Sequence, residues 1–185
     1  MAKVPKDVLV VIDEAYYEYV TNKDYPNTLS LLKEHENIII LRTFSKAYGL
    51  ASLRVGYGIA NKELIQNLEK VRNPFNVTSI GMELAKVALE DRKFVQDTVI
   101  KNRKVLEYVY SELDKRQIEY IESNANFVFI NTKKDANEVF AKLLQKGIIV
   151  RPGFPKMESY IRVTIGTREE MEEFIKKIEL IKKEN

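Results

Sequence analysis

Residues 38–57 read Ile38-Ile39-Ile40-Leu41-Arg42-Thr43-Phe44-Ser45-Lys46-Ala47-Tyr48-Gly49-Leu50-Ala51-Ser52-Leu53-Arg54-Val55-Gly56-Tyr57. The first four residues form an unbroken, largely β-branched apolar run, the pattern of a strand buried on both faces, and such strands sit inside parallel sheets. Upstream, Val8-Leu9-Val10-Val11-Ile12 repeats the pattern and ends at Asp13 and Glu14. Leu29-Ser30-Leu31-Leu32 lies between the two runs and supplies a short helical crossover. Downstream, residues 54–60 alternate Val55, Tyr57 and Ile59 with Gly56 and Gly58, a third strand of the same parallel sheet whose glycines allow close backbone approach. The fold class is α/β.

Beyond this sheet, Asn61 is placed to N-cap a helix running to about residue 70, and Asn73-Pro74 interrupts the pattern. Residues 78–115 carry apolar side chains at spacings of three and four (Leu84, Val87, Ala88; then Val95, Val99, Leu106, Val109, Leu113), which predicts long amphipathic helices with a break near Asp91. A strand over 127–130 precedes a helix over 136–145 stopped by Gly147. Ile148-Ile149-Val150 reads as a short strand and 160–165 as another. The last helix, over 168–183, buries Met171, Phe174, Ile175 and Ile178. The expected organisation is part of a large α/β domain over 1–89 and a small α+β domain over 90–185. A fully buried strand entered within the first eight residues and a three-stranded sheet with open edges lead to the expectation that part of the large domain lies outside this chain.

Composition narrows the class of function. The chain has 185 residues, 45% of them hydrophobic, and 30 basic against 27 acidic side chains leave a net +3. The two signs are interspersed, so no footprint for nucleic acid is present. Cysteine is absent, which removes disulfides and thiolate metal sites, and no metal is expected. No apolar run approaches the roughly 20 residues of a membrane helix, and no signal-peptide pattern opens the chain, so the expectation is a cytoplasmic protein without a membrane partner. His35, the single histidine, stands among charges in Lys33-Glu34-His35-Glu36 and reads as a solvated helix end.

The chemistry sits past the carboxyl ends of the first two strands, where open α/β sheets bind ligands. Lys46, flanked by the hydroxyls of Thr43 and Ser45 and followed by Arg54, suits an aldehyde cofactor that carries a phosphate. Lys46 would form the Schiff base, while Ser45 and Arg54 grip the phosphate. Asp13, on the same rim, suits a protonated pyridine nitrogen, and Tyr16 suits the ring's phenolate oxygen. In the strand over 160–165, Arg162 shares the face opposite to Ile161, Val163 and Ile165; from spacing alone it is as readily a solvated edge arginine as an anion ligand.

These motifs, Asp13-Glu14-Ala15-Tyr16 and the run from Thr43 to Tyr57, resemble those of the histidinol-phosphate aminotransferases, within the fold-type I pyridoxal-phosphate family. The resemblance runs along almost the whole chain and includes Asn126-Phe127-Val128 and Arg162-Val163-Thr164-Ile165-Gly166. It implies pyridoxal 5'-phosphate as cofactor, with Lys46 as its covalent and catalytic lysine, Asp13 and Tyr16 at the ring, and Ser45 and Arg54 at the phosphate. Arg162 and Arg151 are implied at the anionic end of the substrate. Family members are about twice as long, so this chain resembles the C-terminal half. The absent half is implied to bring a phosphate-binding turn, a ring-stacking aromatic and an asparagine.

The implied reaction converts histidinol phosphate and 2-oxoglutarate to imidazole-acetol phosphate and glutamate in histidine biosynthesis, by a homo-oligomer that is a dimer in the full-length family. A threonine-phosphate decarboxylase shares the cofactor motifs and stands as the rival enzyme. A truncated, non-catalytic module able to fold and self-associate stands as the rival of another class.

Overall fold

The computed structural model describes residues 4–183. The chain forms two compact units, one up to residue 97 and one from residue 98.

In the first unit, β1 (Val10–Asp13) pairs parallel with β2 (Ile38–Thr43), with Val10 opposite Ile38 and Asp13 opposite Leu41. The short helix α1 (Thr28–Leu31) lies on the crossover between them. β2 then pairs with β3 (Gly56–Ala60), and here the structure corrects the sequence reading: β3 runs antiparallel, with Arg42 opposite Tyr57 and Thr43 opposite Gly56. The connection explains the direction. Residues 44–55 hold only a 3-10 turn at Ala51–Leu53, and Phe44 N–H donates to Val55 O (3.1 Å). The loop closes on itself at the carboxyl end of β2, so the chain must run back along it; a parallel return needs a crossover to the far end.

A second correction concerns burial. Ile38, Ile39 and Ile40 of β2 are buried as expected, but β1 is not covered on both faces, and Val11 is 54% exposed. β1 is the edge of the sheet order β1-β2-β3, and among the described residues nothing covers the face that Val11 presents.

α2 (Lys62–Val71) begins where Asn61 accepts a bond from Leu64 N–H (2.8 Å). α3 (Ser79–Glu90) begins where Thr78 accepts from Gly81 N–H (3.0 Å). A Cβ on Gly81 would stand 2.9 Å from Val55 Cγ2, so glycine lets α3 lie close to the 44–55 loop. Phe44, Val55 and Ala85 form the buried cluster there, with Tyr48, Leu53 and Tyr57 against it. The loop that carries Lys46 is thus anchored from beneath by apolar contacts. The expected break at Asp91 is present: its side chain accepts from Phe94 N–H (3.0 Å), and α4 (Arg92–Lys115) starts beyond it.

The second unit is built on an antiparallel sheet in the order β4 (Tyr120–Ile121), β5 (Phe127–Asn131), β6 (Tyr160–Thr164). α5 (Ala136–Gln145) and α6 (Arg168–Lys183) pack with the later turns of α4 around Leu113, Ile130, Leu143, Ile161, Phe174 and Ile178. The strand expected over 148–150 does not form a ladder. Gly147, at φ +81°, turns the chain sharply out of α5, Ile149 is left 80% exposed, and pairing reduces to one bridge, Arg151 with Arg162.

Candidate active site

Because β1 and β2 are parallel neighbours, their carboxyl ends open on one rim. Alternation along β1 sends successive side chains to opposite sides. Asp13 is exposed, and its Oδ1 accepts from Ala15 N–H (3.0 Å), which holds the carboxylate in a tight turn. Glu14 is buried beneath it. The chain then makes a 3-10 turn at Tyr17–Tyr19, placing Tyr16 over the rim.

From β2, Thr43 Oγ1 accepts from Ser45 N–H (3.1 Å), and Lys46 O accepts from Gly49 N–H (2.9 Å) in a turn closed by Gly49 at φ +72°. Ala47 is fully buried, so Lys46 is held between an apolar anchor and an ordered serine. Lys46 Nζ lies 5.3 Å from the centre of the Tyr16 ring. Arg54, in the left-handed region at φ +55°, donates from Nη1 to Ala51 O (2.9 Å) and to Ser45 Oγ (3.4 Å). The structure therefore brings Lys46 to Tyr16 and Ser45 to Arg54, with Asp13 on the adjoining strand end.

The charge inventory of this rim fits pyridoxal phosphate. Among the described residues, neither Asp13 nor Lys46 nor Arg54 has an ion-pair partner. The cofactor offers a protonated nitrogen, an aldehyde and a phosphate, one complement for each.

Arg151 and Arg162 lie in the second unit and face each other across the bridge, each N–H donating to the other's carbonyl (3.0 and 2.8 Å). Both guanidinium groups lie over aromatic rings: Arg162 is 4.9 Å from the centre of Phe127, and Arg151 is 5.3 Å from that of Phe154. Arg162 Nε is buried without a hydrogen-bond partner among the described residues. Two guanidinium groups on one aromatic floor, with no ion-pair partner among the described residues, have the charge and the donors that suit an anion.

The sequence reading missed a layer of charge beneath the rim. Glu14 Oε1 accepts from Thr28 Oγ1 (2.6 Å) and Tyr25 OH (3.1 Å), and Oε2 accepts from Arg42 Nε (2.9 Å). Arg42 Nη2 also lies 2.8 Å from Oε2, an ionic contact without hydrogen-bond alignment. Burial would lower the Arg42 pKa, but its bonds to Glu14 and Tyr57 outweigh that and raise it. Glu18 lies nearby with one oxygen buried and without a hydrogen-bond partner among the described residues; burial raises its carboxyl, with Arg42 opposing and Glu14 adding to the rise. A signal was available: Ile38, Ile40 and Arg42 share one side of β2, and an arginine in line with two buried isoleucines requires a carboxylate.

The profile described as aminotransferase class I and II matches residues 1–178, and the chain belongs to that family. Its relatives include the histidinol-phosphate aminotransferase of Bacillus licheniformis, 51% identical over 180 residues that cover 95% of this chain and 49% of that protein. The crystal structure of the histidinol-phosphate aminotransferase from Sinorhizobium meliloti, in complex with pyridoxal-5'-phosphate, matches with a TM-score of 0.86 at 29% identity, over 96% of this chain and 50% of that one. L-threonine-O-3-phosphate decarboxylase from Porphyromonas gingivalis matches with a TM-score of 0.80 at 25% identity, over 95% and 55%. The chain spans about half the length of the curated relatives it matches.

Proposed function

We propose that this chain carries the cofactor-holding rim of a pyridoxal-phosphate-dependent aminotransferase acting on histidinol phosphate and 2-oxoglutarate, giving imidazole-acetol phosphate and glutamate in histidine biosynthesis. One observation carries the reading: Lys46 beside Tyr16, and Ser45 beside Arg54, converge where β1 and β2 end. The 51% identity to a histidinol-phosphate aminotransferase supports the choice of substrate.

When bound, pyridoxal phosphate supplies an electron sink next to the substrate Cα. Asp13 would keep the ring nitrogen protonated, so that the sink keeps its positive charge, and Tyr16 would donate its hydroxyl to the ring oxygen. Ser45 and Arg54 bind the phosphate, Arg54 as a charged donor already held by Ala51 O. Lys46 would be the residue that holds the cofactor's aldehyde, and its Nζ, when free, would take the proton that leaves Cα. Arg162, with Arg151, binds the substrate's anionic end, a phosphate in one half-reaction and a carboxylate in the other. The working assembly in this reading is a cytoplasmic homodimer.

Titration of the protein with pyridoxal phosphate is expected to give a visible absorption band that Lys46→Ala abolishes while its far-ultraviolet circular dichroism stays unchanged. A chain that folds yet gives no band contradicts the cofactor reading and favours a non-catalytic module. The likeness to the threonine-phosphate decarboxylase supports a second enzymatic reading. Carbon dioxide release from threonine phosphate, without amino transfer from histidinol phosphate, would select it.

A further inference from the structure

We propose that Glu14 and Arg42 are positioning residues that set the spacing between the Asp13–Tyr16 turn and Lys46; the proposal rests on the cofactor reading above. Glu14 follows Asp13 directly, so whatever fixes one fixes the other. Its carboxylate is fully buried and gathers groups from three separate segments: Tyr25 in the loop after the 3-10 turn, Thr28 in α1, and Arg42 in β2. Glu14 N–H donates to Leu41 O (2.8 Å), so backbone and side chain of one residue both tie the end of β1 to β2.

Arg42 completes the tie from the other strand. Its guanidinium lies 3.8 Å from the centre of the Tyr17 ring, and Tyr17 is the immediate neighbour of Tyr16. One side chain thus holds the Asp13–Tyr16 turn at both ends, through Glu14 and through Tyr17. Arg42 also stands directly before Thr43, which orders Ser45 and leads into Lys46. The pair couples the two halves of the rim rather than supporting either alone.

A buried ion pair is a poor source of net stability, because desolvating both charges consumes most of the attraction, and apolar residues of similar volume commonly serve the fold as well. What such residues cannot supply is direction, and that difference makes the proposal testable. The double variant Glu14→Met/Arg42→Met is expected to fold and melt near the parent, yet to bind pyridoxal phosphate at least tenfold more weakly. In hydrogen exchange, the amides of Glu14, Tyr17 and Phe44 are expected to lose at least tenfold in protection, while those of Ile39 and Ile40 keep theirs. The variant Arg42→Lys keeps the charge but loses the fork and the stacking face, and is expected to fall between parent and double variant. Parental rim protection in the double variant overturns the proposal whether or not the cofactor binds, and so does parental cofactor affinity. Should the double variant fail to fold, Arg42→Lys decides by the same two readouts. A parent that gives no visible band defeats the cofactor reading alone and leaves the exchange result to judge the positioning role.

Discussion

Glu18 shows how a single carboxyl registers its surroundings. Burial raises its pKa, so the folded chain holds this proton more tightly than the unfolded chain, whose glutamates titrate near about 4.3. Stability from this residue is therefore present at low pH and falls as pH rises from the unfolded value through the raised folded one. Glu18→Gln should remove that fall. Urea midpoints measured between pH 4 and pH 8 are expected to converge at the acid end and to favour the variant increasingly toward neutrality; a gap independent of pH would refute the assignment. At this scale the sequence was legible wherever a residue type is chemically unusual for its place. Lys46, Ser45 and Arg54 stand out in the sequence by their grouping and Asp13 by its place at a strand end; the structure puts Arg54 beside Ser45 and Lys46 beside Tyr16. Glu14 and Glu18 do not stand out, because a carboxylate after a strand looks solvated until its partners on distant segments are known.

Among the elements, helix boundaries were the most readable feature because their signals are local. Asp135 stands ahead of an apolar 3.6-residue pattern, and α5 runs over Ala136–Gln145 with Asp135 Oδ1 accepting from Asn137 N–H (2.9 Å) and Glu138 N–H (3.0 Å). Asp135→Ala is expected to cost about 1 kcal/mol, and Asp135→Ser much less, by denaturant titration; equal losses in both would mean the side chain is not a cap. Strand direction was not legible. Alternation assigns faces but carries no sign, and only the loop over 44–55, too compact for a crossover, decides that β3 runs back. β4, with two residues, is too short to show any period, and the apolar run at 148–150 resembles a strand although the turn at Gly147 takes it off the sheet.

Across the whole molecule, each unit has its own buried cluster, one around Phe44, Val55 and Ala85 and one around Leu106, Val128 and Phe174. The apolar pattern announced the second, through Leu106, Val109 and Leu113 in α4 and Met171, Phe174, Ile175 and Ile178 in α6. It misassigned α3, where Leu84 and Val87 are 43% and 63% exposed and Gly81 and Ala85 are the buried residues. Nor could it announce how much of β1 would be covered, since burial on both faces depends on what lies beyond a strand, and continuous Val and Ile report only that it is meant to be covered. The uncovered edge has a colloidal consequence. The outer side of β1, which no strand among the described residues pairs with, lies beside Leu9 and Val11, 48% and 54% exposed, and is a template on which one molecule can add its strand to another. A lysine pointing into solvent at such an edge makes that addition costly, so Val11→Lys is expected to raise the saturation concentration and to slow light-scattering growth on storage, while leaving the monomer's far-ultraviolet spectrum unchanged.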